Sequence, residues 1–431
     1  MSLLDQFPRL SAYDPGAVGE GGLDPLGLAA VADRIADKLV PGIRARMSHP
    51  RFVTISAVGA FAYQALHELT ADEGRTTVDI AFEWLVVEAM VRHPGNGRLA
   101  GLPGSQKAER AKKANLRLSR RTYLSGPRVF GFTGVYRPLS RDAQVLTFDD
   151  MPAQNALRLV EAWEQDFDLK GYATGDTSKL GGQLRKDIAN ACARSLEMGE
   201  CAAPPAGQLL DKLAKCLAPH EAKSNERRAL RSLLADSPHA IRNELAARLL
   251  KSPPSEKTTQ RQLALSLLAH VRKPTQQALQ AAIAYEDAAT ALDNTFRRFL
   301  AHAVQQSGSV ISPAHALTTP GLEALAPKMD GLAQQAIESV AALDDELLTH
   351  ETVHALGSFQ ERLSAQRFLE ALIARHEHVQ AAKKKLSWLD QLDGDWTVRT
   401  PYRSHTNGLP DDYWTHPMRM DTLAKLLAQT A

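Results

Sequence analysis

Apolar residues recur every three or four positions along most of this chain, and the two-residue alternation of strands is rare. In residues 24–39, Leu28, Val31, Ile35 and Leu39 fall on one helical face, with Asp24 placed as a cap, Pro25 at the first helical position and Pro41-Gly42 as the stop. Residues 53–69 and 77–91 predict two further helices. The second is apolar on most sides (Val78, Ile80, Phe82, Trp84, Leu85, Val86), the pattern of a buried helix. Helices resume at Gln183 and continue to Val271, punctuated by Ala203-Pro204-Pro205 and Ser252-Pro253-Pro254.

The clearest periodicity lies in residues 275–306. Ala278, Ala282, Tyr285, Ala289, Leu292, Phe296, Phe299 and Ala303 alternate by four and three, a 3.5-residue period. That geometry serves a long helix inside a bundle as well as a seam between chains, and the sequence leaves both open. Residues 348–386 form a second long helical stretch, bent near Gly357 and ending in Lys383-Lys384-Lys385, where cations suit a helix C-terminus. Residues 388–402 alternate like a hairpin around Asp393-Gly394, and a helix covers 419–429.

Between these elements the pattern of residues 98–150 is less regular. Residues 105–119 read as a polar helix and Ser125-Gly126-Pro127 as a turn. The β-branched and aromatic content of 128–136 predicts a strand, paired with 144–148, before a helix over 151–167. Helix, turn, hairpin and helix in that order suggest a winged-helix-like module. The expected fold is mainly α, a multi-subdomain helical protein. Its divisions are a helical region over 1–170 containing the basic winged-helix-like module, a helical middle region over 171–272, a long-helix bundle or coiled-coil-like region over 273–388, and a small hairpin and helix over 389–431.

Composition agrees with the helical reading. The chain has 431 residues, aromatics make up only 6%, and Ala and Leu dominate. No apolar run reaches the ~18–20 residues of a membrane span, and the first residues lack the basic-then-apolar pattern of a signal peptide. Three cysteines at irregular spacing suit neither a disulfide framework nor a four-Cys zinc site, so reduced thiols in a cytoplasmic protein are expected.

Charge changes the picture more. Between Arg98 and Arg141 stand eleven Lys and Arg and one acid, Glu109: a net +10 over 44 residues in a chain whose total is +2. Lys107, Arg110, Lys112, Lys113, Arg117, Arg120, Arg121, Arg128 and Arg137 are the candidate ligands of nucleic-acid phosphate, whose binding would weaken as salt rises. Tyr123, Phe130, Phe132 and Tyr136, interleaved with them, are candidates to stack bases if exposed. The other reading is a solvated cationic face balanced by acidic residues elsewhere in the chain.

A second candidate is His350-Glu351-Thr352-Val353-His354, a match to H-E-x-x-H, in which two imidazoles four apart on a helix bind zinc and the Glu activates water. Gln360 stands where the longer form of the motif places a third His. Glu370 and Glu377 read as lying along the same helical stretch, too far to complete the site. In Arg375-His376-Glu377-His378 the two His point in different directions. No phosphate-binding glycine loop and no nucleophile elbow is present.

The stretch Lys38-Leu-Val-Pro-Gly-Ile-Arg-Ala-Arg-Met-Ser-His-Pro-Arg-Phe-Val resembles a loose group of bacterial proteins of unassigned function, encoded among restriction and antiphage defence genes. Arg375-His-Glu-His-Val-Gln, Lys383-Lys-Lys, Trp388 and Val398-Arg-Thr-Pro-Tyr are similar to the end of such proteins. The resemblance covers about a quarter of the chain and transfers no catalytic residue. It implies a cytoplasmic component of a multi-protein defence system acting on or near DNA. The expected function is therefore a nucleic-acid-binding or scaffold subunit, with DNA and other subunits or a second copy as partners, no membrane, no cofactor, no metal and no catalysis of its own. The alternative is a zinc-dependent hydrolase using His350, Glu351 and His354.

Overall fold

The computed structural model describes residues 24–93, 95, 99–406, 408–410 and 413–431. It is mainly helical, with 61% of residues in helices and two small antiparallel sheets. Among the described residues no helix is long and apolar enough to cross a membrane. The chain divides into two compact units. One comprises residues 24–36 with Lys257–Met418, and the other comprises Asp37–Glu256 with Arg419–Ala431.

The first unit is organised by the 33-residue helix Lys273–Gln305. All eight residues of its 3.5-residue seam are buried. Met329–Ala341, Gln260–Leu268 and the three-stranded sheet pack against this helix. Phe296 meets His376 and Trp388 at ring-centroid distances of 4.7 and 6.1 Å, and Phe299 meets Trp396 at 5.9 Å. The seam is thus core, which leaves no exposed stripe for a second chain along it. The predicted hairpin is present as Leu389–Leu392 and Asp395–Val398, turning through Asp393 and Gly394 at φ 51° and 88°. Val310–Ile311 adds a third strand, with Val310 opposite Thr397, which the sequence pattern did not announce. The stretch 348–386 is broken, not merely bent. Glu346–Leu356 ends in a 3₁₀ turn at Gly357–Phe359, and a separate helix, Ala365–Ala382, begins at the Ser364 cap.

The second unit is built on Arg51–Tyr63 and Val78–Arg92, both buried over nearly their whole length. They approach so closely that a Cβ on Gly59 would stand 2.5 Å from the ring of Phe82. Phe132–Asp142, Ala156–Phe167, Leu180–Met198 and Gln208–Cys216 surround them. A buried ion pair sits inside. Arg51 Nε donates to both carboxylate oxygens of Glu226 at 3.0 and 3.1 Å, and its other nitrogens donate to the carbonyls of Cys216 and Ala218. The guanidinium is therefore fully used, as a buried charge requires. Met420–Ala428, predicted within one or two residues, packs on Ala240–Lys251. All three cysteines are buried and free.

The strand reading of residues 128–136 is corrected. Pro127–Phe130 is a short helix and Phe132–Asp142 a longer one, while residues 144–148 form a loop. Phe132, Val135, Tyr136 and Leu139 are all buried. Their i, i+3, i+4, i+7 spacing is a helical face, and it outweighed the β-branched and aromatic content. With no hairpin among residues 99–150, the winged-helix module is not formed.

Candidate anion-binding site

The buried helix Val78–Arg92 carries three acids, Asp79, Glu83 and Glu88, and each holds part of the basic segment. Asp79 accepts a hydrogen bond from Arg137 at 2.8 Å. Glu88 accepts from the backbone N–H of Leu118 at 2.7 Å, pairs with Arg92 and lies 3.6 Å from Arg117. Glu83 accepts from the Tyr123 hydroxyl at 2.8 Å and from the N–H and hydroxyl of Thr133 at 2.9 and 2.5 Å. Burial pushes the Glu83 carboxyl up to about 7, against the opposing pull of those donors. A further acid, Asp150, takes Arg137 and Arg141 at 3.1 and 3.0 Å. Much of the local positive charge is therefore answered within the unit.

These tethers set residues 118–133 beside the hairpin of Thr70–Ala71 and Thr76–Thr77. The connecting loop runs through Asp72, Glu73 and Gly74 at φ 52°, 58° and 81°. Thr76 Oγ1 donates to Asp72 at 2.6 Å and closes the turn ahead of Arg75. A pocket of about 300 Å³ opens where hairpin and segment meet. Arg75, Arg120 and Arg128 line it, together with the hydroxyl-bearing Thr76 and Ser125. Ile80, Trp84, Leu124 and Pro127 are its apolar lining, and among the described residues no carboxylate lines the cavity. Arg128 is steadied by donating to Thr77 Oγ1 at 3.0 Å. Arg75 lies 3.5 Å from Glu73, an acid whose side chain is 86% exposed. Arg120 has no partner among the described residues. Three guanidinium groups around one concavity raise its positive potential and make it a natural seat for an anion.

Comparison with protein-family models, curated proteins and solved structures returned no match. The chemistry of the site must therefore be read from its own residues.

The nine cations singled out from sequence separate into classes. Arg110, Lys113, Arg120 and Arg121 are exposed and form no ion pair among the described residues, and Lys107 is half-exposed. Arg128 reaches the pocket. Lys112 is exposed, but its ammonium donates to the carbonyl of Val91 at 2.8 Å. Arg117 and Arg137 are structural. Arg117 donates to the carbonyls of Cys201 and Ala203 and lies by Glu88, and Arg137 is held between Asp79 and Asp150. The stacking role of the aromatics is also corrected for three of the four. Tyr123, Phe132 and Tyr136 are buried, Tyr123 on Glu83 and the other two against Phe52 at 5.3 and 4.9 Å. Phe130 is half-exposed beneath Arg46, whose guanidinium lies 4.7 Å from its ring. Arg75, Thr76 and Ser125 were missed. Arg75 follows Asp72 and Glu73, so its charge is cancelled in any local sum, and only the turn geometry separates it from them.

The H-E-x-x-H match is placed on the helix Glu346–Leu356, with His350 and His354 exposed. Glu351 is paired with Arg34 at 2.8 Å, where a general base would need a free carboxylate. The ring of His354 stands 5.8 Å from that of His378 on the neighbouring helix. Among the described residues no three His, Cys, Asp or Glu side chains are grouped to hold a metal ion. His376 is buried instead. Its Nδ1 donates to the Pro25 carbonyl and its Nε2 accepts from the Trp388 N–H, both at 2.9 Å. Burial lowers its pKa to about 4, so it is a neutral structural group whose two nitrogens are both occupied.

Proposed function

We propose that the chain is a binding subunit for nucleic acid, contacting phosphate through the exposed part of its basic segment, without catalysis of its own. The observation that carries this reading is what remains after the internal ion pairs are set aside. Arg110, Lys113, Arg120 and Arg121 stay exposed and unpaired among the described residues, and Arg120 and Arg128 meet Arg75 at a single pocket. Cations without internal partners release the counterions of a polyanion when they bind it, so affinity follows their number and falls with salt. DNA as the nucleic acid, and membership of an antiphage defence complex, are the parts of the proposal that rest on the resemblance of the chain's two stretches to proteins of that setting.

The test is fluorescence anisotropy with a single-stranded oligonucleotide across a salt series. The wild type is expected to give a slope of log K against log salt of about −3, from four phosphate contacts at about −0.7 each. Reversing Arg110, Lys113, Arg120 and Arg121 to Glu is expected to abolish binding while thermal unfolding stays unchanged. Arg117 and Arg137 are left intact because their loss would disturb the fold. Equal affinity of the wild type and the charge-reversed variant would refute the reading.

A further inference from the structure

The pocket differs in character from the open cationic surface beside it. It is concave, it contains the exposed Ser125 hydroxyl as well as guanidinium groups, and Leu124 and Pro127 give it an apolar side. We infer that it is a specific seat for a terminal phosphate monoester carried on a nucleoside. This goes beyond the general phosphate contact proposed above and, for a strand end, rests on it.

Three features select that ligand. The first is charge. A phosphate monoester carries about −1.5 to −2 at neutral pH, while a phosphodiester inside a strand carries one negative charge. Arg75, Arg120 and Arg128 converge with no carboxylate in the lining among the described residues, and Glu73, paired with Arg75 at 3.5 Å, has a side chain 86% exposed that can swing into solvent. A dianion balances such a set better than a monoanion. The second is donor geometry. Guanidinium groups bind phosphate oxygens in pairs, and the exposed Ser125 adds a hydroxyl that can donate to a remaining oxygen, the Thr76 proton being taken by Asp72. The third is size and polarity. The volume of about 300 Å³ is at the small end of ligand pockets, too little for a folded nucleic acid and suited to one nucleotide unit. Leu124 and Pro127, both half-buried, offer apolar contact for the base, while Trp84 and Ile80 belong to the buried core under the lining.

The same chemistry is offered by a free mononucleotide and by the phosphorylated end of a strand. The experiment separates them. Anisotropy is measured with one single-stranded oligonucleotide in three forms: unphosphorylated, 5′-phosphorylated and 3′-phosphorylated. Calorimetry with AMP runs alongside, on wild type, on the double variant Arg120→Ala/Arg128→Ala, and on Arg121→Ala. Wild type is expected to bind one phosphorylated form about tenfold more tightly than the unphosphorylated form, the effect of one or two charge-assisted hydrogen bonds. The double variant is expected to lose that preference. Arg121→Ala, altered outside the pocket, is expected to weaken all three forms alike and keep it. Unchanged preference in the double variant, or equal binding of all three forms together with no AMP binding, overturns the inference while leaving the general binding reading standing. Binding of AMP that the double variant loses, with no oligonucleotide bound in any form, supports the pocket and refutes the general reading. Failure of both AMP and every oligonucleotide to bind overturns both.

Discussion

Glu83 is the residue on which the site's geometry turns. Its carboxyl is fully buried, ties Tyr123 and Thr133 to the core helix, and so fixes both ends of the stretch that carries Arg128, while Arg120 lies between Tyr123 and the Leu118 that Glu88 holds. Its pKa rises from the ordinary 4.5 to about 7 because burial disfavours the charged form. An acid whose folded pKa lies above its unfolded one stabilises the fold fully below the unfolded value. That contribution is lost as pH rises from about 4.5 through about 7. Two to three pKa units correspond to about 3 kcal/mol. Glu83→Gln keeps the shape of the network. The amide oxygen can accept from Thr133, and the amide nitrogen can donate to Tyr123, whose hydroxyl already has the Pro103 carbonyl within 3.2 Å as its own acceptor. The variant is therefore expected to fold and to show a flatter stability profile than wild type between pH 4.5 and 7.5, read from urea midpoints. Parallel profiles for the two proteins would show that Glu83 is not the titrating group.

At the scale of elements, the long helix Lys273–Gln305 illustrates how one periodicity serves two purposes. Its seam has the spacing of an intermolecular coiled coil, yet it faces helices and strands of its own unit. Phe296→Ala is accordingly expected to cost about 3–5 kcal/mol of stability, the range for emptying a buried aromatic site. Sedimentation of the folded protein should not change. A variant as stable as wild type but altered in oligomeric state would restore the seam to a partner. Elements with strong periodicity or unambiguous turn chemistry were legible before any coordinates: Val78–Arg92, this long helix, the hairpin at Asp393-Gly394 and Met420–Ala428. Residues 127–142 were not, because Val, Phe and Tyr favour strands as residue types while their spacing here favours a helix, and burial decides between the two. The site was half legible for a related reason. A charge sum finds the segment, but only the fold tells Arg117 and Arg137, spent on buried acids, from Arg120 and Arg128, which reach a cavity.

At the scale of the whole molecule, neither unit is a continuous piece of chain. The unit containing the pocket is closed by residues far away in sequence. Arg419 donates to Asp37 at 2.7 Å, Gln429 meets His49 at 2.7 Å and donates to the Ser48 carbonyl at 2.6 Å, and Leu423, Leu426 and Leu427 are buried. Leu423→Ala is expected to cost about 2–5 kcal/mol, although the residue lies more than three hundred positions from the core helices of its unit. Urea denaturation would measure this, and a loss below about 1 kcal/mol would mean that the helix is an ornament on an already complete unit. The same arrangement constrains how the protein is made. Residues 37–256 leave the ribosome early, but the helix they need arrives only after residues 257–418 have been synthesised. At ordinary elongation rates that delay is on the order of 10–30 s. Through it, the face of Ala240–Lys251 destined for Met420–Ala428 stays uncovered, a sticky surface on a nascent chain and a natural point of chaperone engagement.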